Sequence, residues 1–137
     1  MIFDDVTAGQ ALPELDIAVT ASQIAVAAIA TNDYEKVHHD KALAQTTGVP
    51  DIFMNILTTN GLVQRFVTDW AGSNARIRKI KIRLGAPNFV GDTMRLSGAV
   101  DSVDEQARTA AIKVSGRNSI GEHVAATVTI GFAEGVR

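Results

Sequence analysis

The spacing of apolar residues changes once along the chain, near Gly72, and that change most limits the folds open to it. Before it, Phe53, Ile56, Leu57, Val63, Phe66, Val67 and Trp70 recur at steps of three and four, the period of a helix with one buried face. After it the period is two. Ile80-Lys81-Ile82-Arg83-Leu84 alternates strictly, Met94, Leu96, Gly98 and Val100 alternate with polar or small residues, Ile112 and Val114 do so again, and Val124–Phe132 is a final β-rich run. Gly91-Asp92, Asp101–Gln106 and Gly121-Glu122 read as turns. One long helix over residues 51–70, stopped at Gly72 and followed by at least four strands mostly in hairpin succession, predicts an α+β fold with an antiparallel sheet packed on that helix.

The first half carries less regular signals. Residues 1–19 read as loop and short extended pieces, with Pro13 as a breaker. Thr20-Ala21-Ser22-Gln23 has the form of a capping box, Thr20 at the N-cap and Gln23 three residues on. The Ala-rich helix that follows to about Thr31 is almost all apolar and is expected to be largely buried. Residues 32–50 are polar and irregular, with a short helical piece near Lys41–Thr46 and then Gly48 and Pro50.

No linker or repeat divides the chain, and 137 residues make one domain, 1–137. The net charge of −2 gives no general face for nucleic acid. Absence of cysteine removes disulfides, thiolate nucleophiles and zinc–thiolate sites. The start, Met1-Ile2-Phe3-Asp4-Asp5, is acidic where a secretory signal wants positive charge, and the longest apolar run, Ile24–Ala30, is too short to span a membrane. A cytoplasmic protein with no membrane partner is therefore expected. An enzyme for a bulky substrate would need more wall than this length easily supplies.

Chemistry concentrates in Thr31-Asn32-Asp33-Tyr34-Glu35-Lys36-Val37-His38-His39-Asp40. Asp33 and His38 are five residues apart, which on a continuous helix puts them about 140° apart on different faces. They can meet only if the helix ends near Asp33 and the chain turns back. A carboxylate and an imidazole held together can share one water molecule, one group taking its proton while the other orients it. On spacing alone, an Asp and a His in a polar loop after a helix read first as a solvated loop. A metal pair with His38 and His39 is disfavoured, because adjacent histidines diverge and no third ligand follows at a standard spacing.

These residues resemble the signature of the MaoC-like, R-specific enoyl-CoA hydratase family: an Asp, four residues, a His, and a small residue six further on. Asp33, His38 and Ala44 hold those positions. A second family feature, a basic strand running into a Pro and a Gly-Asp turn, is matched by Arg83-Leu84-Gly85-Ala86-Pro87-Asn88-Phe89-Val90-Gly91-Asp92-Thr93. Val37-His38-His39-Asp40, Asp51-Ile52-Phe53, Asn55-Ile56-Leu57, Gly61-Leu62-Val63-Gln64-Arg65 and Val67-Thr68-Asp69-Trp70-Ala71-Gly72 are similar to the small subunits of a two-chain branch of that family. Gly116-Arg117-Asn118 and Gly121 with His123-Val124 extend that likeness. That branch hydrates steroid side-chain carboxyl-CoA thioesters in sterol degradation.

The resemblance implies a hot-dog fold, an antiparallel sheet wrapped around a long central helix. It implies Asp33 and His38 as the catalytic pair and an acyl-CoA thioester as substrate. It also implies a second MaoC-like hot-dog subunit, in a heterodimer or heterotetramer. Asn55, Ile56, Thr59 and Asn60 are the residues expected to contact substrate at the start of the central helix. No metal and no cofactor is expected, coenzyme A being part of the substrate. Two positions depart from the general family: Glu35-Lys36 stands where Asn-Pro is usual, and Met54-Asn55 where His-Gly is usual. Both favour the paired enzyme over a self-sufficient homodimer. A hot-dog thioesterase and a non-catalytic scaffold subunit are the remaining alternatives. The basic residues Arg76, Arg78, Lys79, Lys81 and Arg83 read as a solvated face before a phosphate site. Phe66 and Trp70 read as core, and His123 as structural.

Overall fold

The long helix begins where its polar residues can cap it. The structure, a computed structural model, describes residues 1–133. In it α3 runs Ile56–Ala71, and Asn55 is its N-cap, the side-chain Oδ1 accepting the Thr58 N–H at 2.9 Å. Residues 51–55, expected within the helix, stay outside it. There Phe53 forms an antiparallel bridge with Phe89, and the Met54 N–H donates to the Asn88 carbonyl at 3.0 Å. Those pairings satisfy backbone groups that the helix would otherwise have used. At the other end Gly72 has φ 75°, a left-handed conformation that glycine adopts without steric cost, so the expected stop holds.

Among the described residues, five strands form one antiparallel sheet in the order β1-β3-β4-β5-β2. They are β1 Ala11–Ala18, β2 Ala75–Leu84, β3 Thr93–Asp104, β4 Thr109–Arg117 and β5 Glu122–Phe132. Three of them, β3, β4 and β5, follow in hairpins, as expected. The strand after the helix does not: β2 pairs with β5, and residues 85–92 carry the chain across to β3. Residues 1–19 also hold a full strand, β1, paired with β3. Its register slips between Leu12 and Leu15, so Pro13 sits at an edge bulge where a missing N–H is tolerated. The turn expected over 101–106 falls later, because β3 continues to Asp104.

The buried face of α3 (Val63, Phe66, Val67, Ala71) packs with Met94, Leu96, Ile112, Val114, Val124, Val128 and Ile130 in one core. Burying each of the larger side chains stabilises by about 1.5–3 kcal/mol. Gly98 lets the sheet close on the helix: a Cβ there would lie 3.1 Å from the Phe66 ring and 2.8 Å from the Lys113 carbonyl oxygen. A curved antiparallel sheet around one long helix is the hot-dog arrangement that the resemblance implied. Phe66 is core, and Trp70 is partly buried against it. The basic residues of β2 are exposed, on a strand paired on one side only, where charge guards the open edge.

Helix α1, Ala21–Ala30, corrects another expectation. Thr20 Oγ1 accepts the Gln23 N–H at 3.1 Å, so the cap forms, but the Gln23 Oε1 has no partner among the described residues and the reciprocal half of the box is missing. Only Ile24 and Ala28 are buried, while Val26 is 65% and Ile29 52% exposed. A single helix lying on α3 can bury one stripe only, and here the opposite stripe is also apolar. The short helix α2 is found at Lys41–Thr46, as expected. Among the described residues no helix is long and apolar enough to cross a membrane.

Candidate active site

Asp33 is positioned by the way α1 ends. Thr31 is the C-cap, and Asn32 follows in the left-handed region at φ 57°. The Asn32 N–H donates to the Ile29 carbonyl at 3.0 Å and the Asp33 N–H to the Ala28 carbonyl at 2.9 Å. This is a Schellman closure with asparagine in the position that glycine most often fills. The chain thereby reverses at Asp33, the condition under which Asp33 and His38 can meet.

His38 closes a short 3-10 turn, Lys36–His38, and the next turn begins at once because Asp40 caps α2, its Oδ1 accepting the Leu43 N–H at 3.0 Å. The imidazole is buried, 6% exposed, with Phe53 packed edge-on to it at 5.1 Å between ring centres. Its Nδ1 lies 2.6 Å from the Phe53 carbonyl oxygen and its Nε2 lies 3.3 Å from Asp33 Oδ2. A carbonyl oxygen only accepts, so Nδ1 carries the hydrogen. Neutral His38 then presents a bare Nε2 beside a carboxylate oxygen. Two acceptors side by side, at the surface of a half-buried carboxylate, form a cradle for a molecule with two O–H donors, which water is.

Asn55 joins this pair to α3. Its Nδ2 donates to Asp33 Oδ2 at 2.9 Å and to Thr31 Oγ1 at 3.0 Å. Its Oδ1 accepts from both the backbone N–H and the hydroxyl of Thr58. The Asn55 N-bond to Asp33 is the main reason that the Asp33 carboxyl is held below the usual carboxylate range. The Glu35 N–H on Oδ1, at 3.2 Å, adds to this, and burial opposes it. All four hydrogen-bonding positions of the Asn55 amide are occupied within the chain. Its side chain is therefore committed within the chain, and its backbone N–H, at the head of α3, is the group left to meet the substrate.

The other sequence-derived candidates divide. Ile56, next to the capping Asn55, is 51% exposed, Leu57 after it is exposed to a similar degree, and Tyr34, next to Asp33, is exposed too. Thr59 is fully buried and faces the sheet, its hydroxyl 2.8 Å from His123 Nε2, so it does not join the pair and is not available to substrate. Asn60 is half-buried, one turn beyond Ile56, and its Oδ1 has no partner among the described residues. His39 is exposed and apart. His123 is buried, with Nδ1 donating to the Ala86 carbonyl at 2.6 Å, and burial lowers its basicity. Among the described residues no group of three or more His, Asp and Glu could hold a metal ion. Sequence reasoning placed Thr31 in the candidate segment without giving it a role, and missed the Phe53 carbonyl. An asparagine closing an apolar helical run could have pointed to the first, while a backbone carbonyl carries no sequence signal.

Comparison with known proteins adds four findings. The MaoC like domain matches residues 5–123. The beta subunit of the 3-oxo-4,17-pregnadiene-20-carboxyl-CoA hydratase of Mycobacterium tuberculosis is 47% identical over 126 residues, 92% of this chain and 96% of that protein. The ChsH1-ChsH2 complex from Mycobacterium tuberculosis holds a chain that superposes with a TM-score of 0.89 at 46% identity, over 93% of this chain and 98% of that one. The (R)-hydratase from A. caviae superposes with a TM-score of 0.86 over 93% of this chain and 98% of that one; at 19% identity it shows the shared fold alone.

Proposed function

Because this chain belongs to the MaoC-like domain family, we propose that it is a subunit of an enoyl-CoA hydratase that adds water to the side-chain double bond of a steroid carboxyl-CoA thioester. The observation that carries the reading is the pair of acceptors, Asp33 Oδ2 and His38 Nε2, 3.3 Å apart. A water molecule donating one hydrogen to each is held with its oxygen free to attack. As the new C–O bond forms at the β-carbon, the pair takes one proton from the water and a proton is delivered to the α-carbon, so one water is consumed per double bond.

The thioester carbonyl must carry negative charge while this happens. The N–H groups of Ile56 and Leu57 lie in the first turn of α3, ahead of any intrahelical acceptor, and the helix dipole adds to their pull. Thr58 is already capped by Asn55, so these two, with the N–H of Asn55 itself, remain to polarise the carbonyl. The exposed Tyr34, Ile56 and Leu57 form an open apolar side to the site. A second hot-dog chain covers it and supplies the remaining substrate wall, in keeping with the subunit status of the Mycobacterium tuberculosis relative. The chemistry calls for no metal and no cofactor beyond the coenzyme A of the substrate. We assign the enzyme to the cytoplasm, a setting with which a cysteine-free chain agrees.

The test is hydration of a steroid-linked 2-enoyl-CoA by the chain with a partner hot-dog chain, followed by loss of the enoyl thioester absorbance. Asp33→Ala and His38→Ala are each expected to lower turnover by about 10²–10⁴-fold in an intact complex. Near-normal turnover in either variant, or release of free coenzyme A in place of hydration, contradicts the reading.

A further inference from the structure

We propose that Asn55 is a positioning residue for hydration, one side chain that caps the central helix and at the same time holds the Asp33 carboxylate in register with His38. The inference rests on the hydratase reading of Asp33 and His38. Capping alone needs only an acceptor, and Ser, Thr or Asp at this position would cap α3 about as well. None of the three could also donate two hydrogen bonds from the far end. Asn55 does so. Its Oδ1 is identified as oxygen by the Thr58 backbone N–H it accepts, and that leaves Nδ2 facing Thr31 Oγ1 and Asp33 Oδ2. The residue is 3% exposed, so these bonds are not in competition with bulk water.

Thr31 is held in turn. Its hydroxyl donates to the Ala27 and Ala28 carbonyls at 2.9 and 3.0 Å, and so offers only lone pairs to Asn55. The end of α1, the start of α3 and the carboxylate are thereby locked through one amide. Asp33 Oδ2 receives Asn55 from one side and faces His38 Nε2 from the other, while Oδ1 is tied to the Glu35 N–H. A carboxylate restrained at both oxygens cannot rotate away from the imidazole. The donor from Asn55 also favours the ionised form, which keeps Asp33 an acceptor of the water hydrogen to lower pH.

Asn55→Ser and Asn55→Thr separate this role from capping, since both keep a capping oxygen. In the assembled complex both are expected to fold with an unfolding midpoint close to the parent. Turnover should fall roughly tenfold or more, within the ~10²-fold that a misplacement of about 1 Å costs, with little change in KM. Asn55→Ser should also move the acidic limb of the kcat/KM profile to higher pH, because Asp33 loses its donor and becomes more basic. A residue that served only as a helix cap would leave that limb in place. Unchanged turnover and an unchanged acidic limb in both variants, with Asp33→Asn inactive, overturn the inference and leave the dyad standing. Full activity in Asp33→Asn overturns the dyad, and this inference with it.

Discussion

Asn32 decides whether Asp33 has a place to act from. It is one of two non-glycine residues with positive φ among those described, and its left-handed turn delivers Asp33 to the Schellman position. Asparagine tolerates this conformation better than other residues with a Cβ, and β-branched residues tolerate it least. Asn32→Gly is therefore expected to keep stability and hydration close to the parent. Asn32→Val should lose about 1–2 kcal/mol in denaturant unfolding and a larger share of activity than of stability, since the turn aims the carboxylate. Equal behaviour of the two variants would show that the turn does not aim it. The reversal itself was legible only as a condition: spacing could say that a helix must end before Asp33, and the helix does end there.

Among elements, the contact between α3, β5 and the segment after β2 is pinned by one buried imidazole. His123 accepts from Thr59 on the helix and donates to Ala86 beyond β2. This is the structural role expected of it, and it explains why Thr59 is not at the substrate. Burial lowers the imidazole's basicity, so the folded chain keeps it neutral. As pH falls below about 6.5, the ordinary imidazole value, the unfolded chain binds a proton that the folded chain refuses. The contribution is thus complete above that pH and is lost progressively below it. The unfolding midpoint of the protein is expected to fall between about pH 7.5 and 5.5, and that of His123→Gln to fall less. Parallel slopes would remove His123 as the cause. Element boundaries followed the same logic throughout. The period-two runs became strands, whereas residues 51–55 left the helix because Phe53 and Met54 found backbone partners in residues 88 and 89, a pairing that no local pattern announces.

On the scale of the whole molecule, the short chain and the open apolar side of the site describe one thing. Val26 and Ile29 on α1, Tyr34 next to Asp33, and Ile56 and Leu57 at the start of α3 are exposed in the isolated chain. Alone, it is expected to show little hydration of either linear or steroid-linked 2-enoyl-CoA; with its partner hot-dog chain it should form a stable complex, seen by mass in solution, and hydrate the steroid-linked thioester. Full activity of the single chain on linear substrates would mark it as a self-sufficient enzyme instead.

Sequence by itself determined the class of fold, the long helix with its stop at Gly72, and the succession of strands after it. Each of these is set by neighbours in the chain, through a period or a turn residue, whereas Asp33 and His38 stood out through the family resemblance, their five-residue spacing being open to a solvated loop. Tertiary structure alone decided that β2 joins β5, that β1 is a strand around Pro13, that α1 is half exposed and that Thr59 belongs to His123. It also decided what Asn55 does, since an amide has both a donor and an acceptor end, and only the packed chain says what each end meets.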